Sequence, residues 1–381
     1  MSMFAEPNPP CSSDRPELAL VRDALRRILE RFGPEYWRAC DVRRAFPSEF
    51  MAVMADAGYA GTLIPESDGG LGLGASVASL VVEDINCAGG DAAAMNAQMS
   101  ICGTLVREGT PSQKALLPAI ADGSKRLLTV AATEPDSGAD MSSLDSVARR
   151  AGDGWILDAR KVFVSLAEHT HLLVLLVRTV DGPTLFLLDL GEVRNAVEIR
   201  PVDLIANRMT TMLFIDGLRV SDDCRLGPVG GGLRCLKKGF ALRRILAASE
   251  SIGNARFFLR KSVEHANQRR TFNRAIGQNQ GVQFPLAQAY AKVEAADLMR
   301  WDAVRCFELG QGASERSALA KILASEAAWE AARAALTAFG GWGLASEVHV
   351  ERKLRDASIF VFNNMLLCYV AENVLGLPKS F

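Results

Sequence analysis

The chain has 381 residues, of which 49% are hydrophobic and 23% charged, and its formal net charge is −1. That balance leaves no electrostatic footprint for nucleic acid or an anionic membrane, so neither is expected as a partner. The length exceeds a comfortable single core and predicts two or three structural units.

Residues 1–15, "MSMFAEPNPPCSSDR", are polar and Pro-rich and predict a flexible N-terminus without the basic segment and apolar run of a secretory signal. No apolar stretch reaches the roughly 18 residues a spanning helix needs. Eight cysteines, at 11, 40, 87, 102, 224, 235, 306 and 368, show no C-x-x-C spacing. They are expected to be reduced, mostly buried thiols of a soluble cytoplasmic protein.

From 16 to 125 apolar residues recur at helical spacing, as in "LALVRDALRRILERFG", which predicts a helical N-terminal domain. The glycine-rich "DGGLGLGAS" at 68–76 has Ala75 in place of the third glycine of a dinucleotide fingerprint, follows no strand, and reads as a loop. Between 126 and 232 come short β-rich runs such as "GWILDARKVFVS" and "HLLVLLVRTV" with no long helix between them. They predict an antiparallel sheet or small barrel rather than a doubly wound domain. "HTH" at 169–171 would put both rings on one strand face, but the four histidines form no helical metal pair and no metal site is expected. From 233 to 381 long helical patterns return at bundle lengths. In "GFALRRILAASESIG", at 239–253, Arg243 and Arg244 stand together where an amphipathic helix begins. Serine-hydrolase elbows, P-loops and H-E-x-x-H motifs are absent.

Four words in this order, "ATEPDSGAD", "GWILDARKVFVS", "QRRTFNRAIGQNQGVQFPLAQAYAKVEAADLM" and "AFGGWGLASEVHVERKLRDA", resemble the acyl-CoA dehydrogenase flavoprotein family. The resemblance runs from about residue 17 to the end. It implies an α+β, mainly α fold: an N-terminal helical domain, a middle β-barrel and a C-terminal four-helix bundle, assembled as a homotetramer or homodimer. It also implies FAD and a CoA-thioester substrate. By position, Ala132, Thr133, Gly138 and Ala139 would meet the cofactor, with Ala139 also near the thioester in place of the family's serine. Phe163 and Ser165 match the aromatic and hydroxyl beside the flavin ring, where a donor to N5 tunes reduction. Arg269, Thr271, Phe272 and Gln280 match the segment that grips the cofactor of a partner subunit, and Gly340 and Gly341 the glycines at its tail. Without these motifs Phe163 would read as barrel core and Gly340 as a helix terminator.

The family's usual reaction needs a carboxylate over an α-proton of the thioester. One family position for that glutamate holds Asn364 here, and an amide is not a base. The other lies directly before a family arginine; Arg244 matches that arginine, which would contact substrate, and Arg243 stands where the base belongs. A guanidinium stays protonated. Glu250 is seven residues on, about 10 Å along the helix axis, too far to serve the same carbon, and reads as structural or ion-paired. Three readings follow. In the first, flavin and O2 oxygenate an activated acyl-CoA, as in the CoA-ester oxygenases of bacterial secondary metabolism, including tropone biosynthesis; Arg243 stabilises an oxyanion, with Asn364 and Ser165 as further catalytic candidates. In the second, a dehydrogenase, decarboxylase or desulfinase acts on an acidic acyl-CoA whose anion Arg243 binds. The third is a non-catalytic flavin-binding partner subunit. The electron acceptor is O2 or an electron-transfer flavoprotein.

Overall fold

The computed structural model describes residues 16–138, 140–141 and 143–380. Seven helices come first: α1 (Pro16–Leu29), α2 (Pro34–Val42), α3 (Ser48–Asp56), α4 (Gly74–Cys87), α5 (Ala93–Glu108), α6 (Pro111–Lys114) and α7 (Leu117–Ala121). The strands follow: β1 (Leu127–Ala131), β2 (Val147–Ala151), β3 (Gly154–Ser165), β4 (Leu172–Thr179) and β5 (Gly182–Asp189), then the short α8 (Leu190–Val193), β6 (Val197–Pro201), β7 (Thr210–Ser221) and β8 (Arg225–Leu226). The long helices come last: α9 (Gly232–Gln268), α10 (Gln280–Glu308) and α11 (Ala313–Phe339), then α12 (Val350–Ser358) and α13 (Asn364–Asn373). A hairpin of β9 (Arg270–Thr271) and β10 (Arg274–Ala275) joins α9 to α10. No helix of the described residues is long and apolar enough to cross a membrane. All seven described cysteines are free, but only Cys102, Cys235 and Cys306 are buried, fewer than expected.

The chain forms two compact units, one of residues 44–73 and 93–240, the other of the described residues up to 43 with 74–92 and 241 onward. In the first, the strands pair in the order β6-β7-β3-β2-β4-β5-β8, with β1 beside β4. Most ladders are antiparallel as expected, but both β1 and β2 pair with β4 in parallel, so the sheet is mixed. The near-continuous apolar run of β4 is explained by its two covered faces. Leu172, Val174 and Leu176 pack with Ile101, Leu105, Leu117 and Ile120 of the helices, while Leu173, Leu175 and Val177 pack with Trp155, Leu157, Phe186 and Leu213. Each such side chain contributes roughly 1.5–3 kcal/mol by leaving water. At α6, Thr110 and Gln113 make a capping box, and the Gln113 amide also donates to Asp223 O at 2.7 Å and Arg225 O at 3.0 Å, tying helix to strand. The "HTH" segment lies in the turn before β4, not on a strand, which corrects the expected shared face. His169 stacks on Phe46 and the His171 Nδ1 accepts from Arg126 N at 2.9 Å.

In the second unit the long helices are joined by buried charge. Arg256 of α9 pairs with Glu83 of α4 and, at 2.8 Å, with Asp297 of α10; Arg300 pairs with Asp297 and, at 2.8 Å, with Glu83. Gly253 makes the approach of α9 to α4 possible, because a β-carbon there would stand 2.3 Å from Glu83 O. The glycine-rich loop opens α4, but its helix N-terminus is served from within: Ser76 N donates to a Glu308 carboxylate oxygen at 2.8 Å. Helix α9 begins at Gly232, so Arg243 and Arg244 lie in its interior and not where the helix begins. The sequence pattern missed this because the first turns carry Lys237 and Lys238 and blur the apolar stripe.

Candidate flavin and acyl-thioester site

In the sheet unit, strand β3 carries two of the expected flavin-side residues, Phe163 and Ser165. Its inward face takes Trp155, Leu157, Ala159 and Lys161 at period two, and continued alternation would bury Phe163 as well. Instead the β3–β7 register shifts between Lys161 and Val164, and Phe163 adopts φ +54 and is 62% exposed. A left-handed phenylalanine costs on the order of 1–3 kcal/mol, so the bulge holds this ring outward against its preference. Lys161, excluded from solvent, donates to Glu134 Oε1 at 2.6 Å and to Ala132 O at 3.1 Å. Val162 N donates to Thr133 O at 3.0 Å. Ala132 and Thr133 are thereby pinned beside the bulge. Ser165 ends β3 with an exposed side chain, and its carbonyl accepts from Thr129 Oγ1 at 3.0 Å. Gly138 is exposed, and a β-carbon there would approach only Thr133, at 3.9 Å. Ala139, expected at cofactor and thioester, lies outside the described residues.

The Lys161–Glu134 pair went unread in the sequence, although both residues stand in the quoted words. The signal was a lysine on the inward face of an apolar strand. Burial alone would raise the Glu134 carboxyl, but hydrogen bonds from Lys161, Ser146 and Asp145 N outweigh it and hold the pKa below the ordinary value. Burial lowers the Lys161 pKa against the pull of Glu134.

The other unit carries the arginines. Arg243 is exposed by accessible surface, although the protein packed near its guanidinium lowers its pKa by desolvation. The guanidinium stays charged in either surrounding. It makes no hydrogen bond or ion pair among the described residues. Arg244 is different: its guanidinium donates to Ser314 O at 3.3 Å and lies 5.2 Å from the Tyr369 ring centroid, a cation–π contact. Asn364 opens α13 with its side chain exposed. Glu250, two turns after Arg243 on α9, is buried.

A third arrangement concerns the cofactor tail. His265, Arg269, Phe339, Gly340, Gly341 and Trp342 line an open cleft of about 570 Å³. Gly340 has φ +59, and no atom lies within 4 Å of a β-carbon built on it or on Gly341. Bare backbone, a cation and two aromatic side chains fit an anionic tail with a planar base. Thr271, Phe272 and Gln280 do not join this cleft. Phe272 and Asn273, at φ +50 and +60, form the tight turn of the β9–β10 hairpin, and Phe272 is 97% exposed.

The acyl-CoA dehydrogenase N-terminal, middle and C-terminal domain patterns match residues 15–124, 129–216 and 230–362. The acyl-CoA dehydrogenase FadE12 of Mycobacterium tuberculosis is 31% identical, over 96% of this chain and 97% of its own. A solved complex of glutaryl-coenzyme A dehydrogenase with glutaryl-CoA superposes with TM-score 0.88 at 27% identity, covering 96% of each chain. A chain solved in work on the electron transferring flavoprotein of Acidaminococcus fermentans superposes with TM-score 0.89 at 26% identity, over 94% of this chain and 98% of that one. Helices, sheet and long helices in this order, matched along almost the whole length, place the protein in the acyl-CoA dehydrogenase family.

Proposed function

We propose that this FAD-dependent oxidoreductase of the acyl-CoA dehydrogenase family oxygenates an activated acyl-CoA thioester rather than desaturating a saturated one. Bound FAD supplies the two-electron couple and, when reduced, reactivity toward O2. The protein's part is to bind, orient and balance charge. Ala132 and Thr133, pinned by Lys161, together with Phe163 and Ser165 offer the face for the flavin ring. Arg269, Gly340 and Gly341 offer a cradle for a cofactor tail, received from a second subunit of a homodimer or homotetramer. Asn364 cannot take a proton.

The observation that supports this reading is Arg243, a cation with no hydrogen bond or ion pair among the described residues, at the position that the family resemblance gives to the base. A fixed positive charge in a poorly hydrated site stabilises a developing oxyanion on the acyl group and needs no reorganisation to do so. A substrate that already carries an acidic carbon needs no strong base. The test is to supply FAD-loaded protein with 18O2, a reductant and aromatic or otherwise activated CoA esters. Label in the acyl product is expected; turnover that proceeds anaerobically with an artificial acceptor would sink the reading. In that event an electron-transfer flavoprotein becomes the acceptor, which the similarity to the Acidaminococcus fermentans chain supports.

The similarity to the glutaryl-CoA complex favours a second reading, in which Arg243 binds the distal carboxylate of an acidic acyl-CoA. Loss of carbon dioxide then leaves the carbanion without a protein base. Under this reading Arg243→Gln raises KM chiefly for anionic acyl groups. Equal losses with neutral ones would remove it.

A further inference from the structure

Helix α11 presents one lysine to a turn that the readings above do not use. The Lys321 Nζ donates to Phe360 O at 2.8 Å, Phe362 O at 3.2 Å and Asn363 Oδ1 at 2.7 Å. One helical turn on, Ser325 Oγ accepts from Asn363 Nδ2 at 3.0 Å. An ammonium has three donors, and here all three are spent on one short segment. The carbonyl of Asn363 in turn accepts from Leu366 N and Leu367 N, both at 2.9 Å, and so starts α13. Asn364 is the first residue of that helix, and Tyr369, a turn and a half later, lies against Arg244. A single amine therefore fixes the segment from which Asn364 emerges and the start of the helix whose Tyr369 lies against Arg244.

We propose that Lys321 is a positioning residue of the acyl site: its ammonium straps residues 360–363 in place, and the strap is complete only while the amine is protonated. The part that concerns the acyl site rests on the reading that residue 364 faces the acyl group. A neutral amine keeps two N–H donors and gains a lone pair, so one of the three oxygens must face that lone pair. The longest contact, to Phe362 O two residues before Asn364, is the one released. Burial alone, with no charged group from α10, α12, α13 or the turn contributing, brings the Lys321 pKa down to about 8. The switch thus falls in an accessible pH range.

The linkage sign separates this role from a plain structural one. The folded value lies below the ordinary value of 10.5, so between about 8 and 10.5 the unfolded chain binds more protons than the folded one. Across that window global stability gains from this group as pH rises, while the strap loosens. A residue that merely props up the fold would move stability and site order together.

The experiment uses FAD-loaded protein and hydrogen–deuterium exchange of the peptide spanning residues 360–367, corrected for the intrinsic pH dependence of exchange. In the wild type, protection of this peptide should fall about fivefold, the net worth of one hydrogen bond, with a midpoint near pH 8. Lys321→Arg keeps a permanent cation and should hold protection level across the same range, while Lys321→Met should lack it throughout. Denaturant midpoints of wild type against Lys321→Arg supply the stability half of the test, and the wild type should gain relative to the variant above pH 8. Identical exchange profiles for wild type and Lys321→Arg would overturn the strap. Flavin spectral changes on adding butyryl-CoA, glutaryl-CoA or phenylacetyl-CoA form the separate readout. If exchange shows the transition and thioester binding ignores it, the strap stands and the placement of residue 364 at the acyl group falls.

Discussion

Lys161 is a cation withdrawn from bulk water and Arg243 an exposed one, and they differ in how their charge is met. Lys161 faces a carboxylate and a carbonyl within 3.1 Å, and that carboxylate is itself held by two backbone amides. Arg243 faces no partner in the described chain. A cation with its counter-charge built in is part of the scaffold, because removing either partner strands the other in a dry place. An exposed cation without one is met by solvent or by a ligand. The same physics assigns Lys161 to architecture and leaves the charge of Arg243 to solvent or, under the proposed function, to the acyl group.

The largest effect that would break this comparison is at the paired site. Lys161→Met leaves Glu134 charged and buried without its partner, and should cost about 3–5 kcal/mol in denaturant unfolding, with loss of the yellow flavin band on purification. Adding Glu134→Gln to it should recover much of that stability. Next comes Arg243→Gln, expected to lower turnover about 10²–10³-fold while leaving the unfolding midpoint unchanged or higher. If this variant destabilises the fold as Lys161→Met does, Arg243 has a partner in the fold and the distinction is lost. The smallest effect is on the acid limb. Because the Glu134 pKa is lowered in the folded state, its contribution is present above the ordinary carboxylate range and is lost as pH falls through the lowered value. Urea midpoints measured down that limb should fall more steeply for wild type than for the Glu134→Gln, Lys161→Met pair; parallel curves would show that the pair carries no pH-dependent stability.

The architecture was legible wherever a periodicity had one cause. Helices, sheet and long helices follow directly from the apolar spacing. Legibility failed where two causes overlapped. Alternation along β3 would send Phe163 inward, and only the bulge, a change of register in the pairing partner, turns it out. The start of α9 was hidden because its first turns mix lysines with apolar residues. Asn364 drew notice as a missing acid, while its neighbour Asn363, which the lysine strap holds, had no sequence signal, because its side-chain partners, Lys321 and Ser325, lie some forty positions away.

The helical unit is assembled from three separate stretches of chain, and protein synthesis delivers them far apart in time. About 150 residues lie between Ala92 and Ala241. At 5–20 residues per second, α1 and α4 wait on the order of ten to thirty seconds at the ribosome before α9 to α11 emerge to complete their core. During that interval the apolar ridge of Leu80, Val81, Val82 and Ile85 has no final covering. The sheet unit, continuous from Ala93 to Phe240 apart from one earlier insert, finishes first. A nascent chain interrupted before Ala241 therefore carries a completed sheet and an uncovered helical ridge, which makes it a client for chaperones rather than a half-sized enzyme.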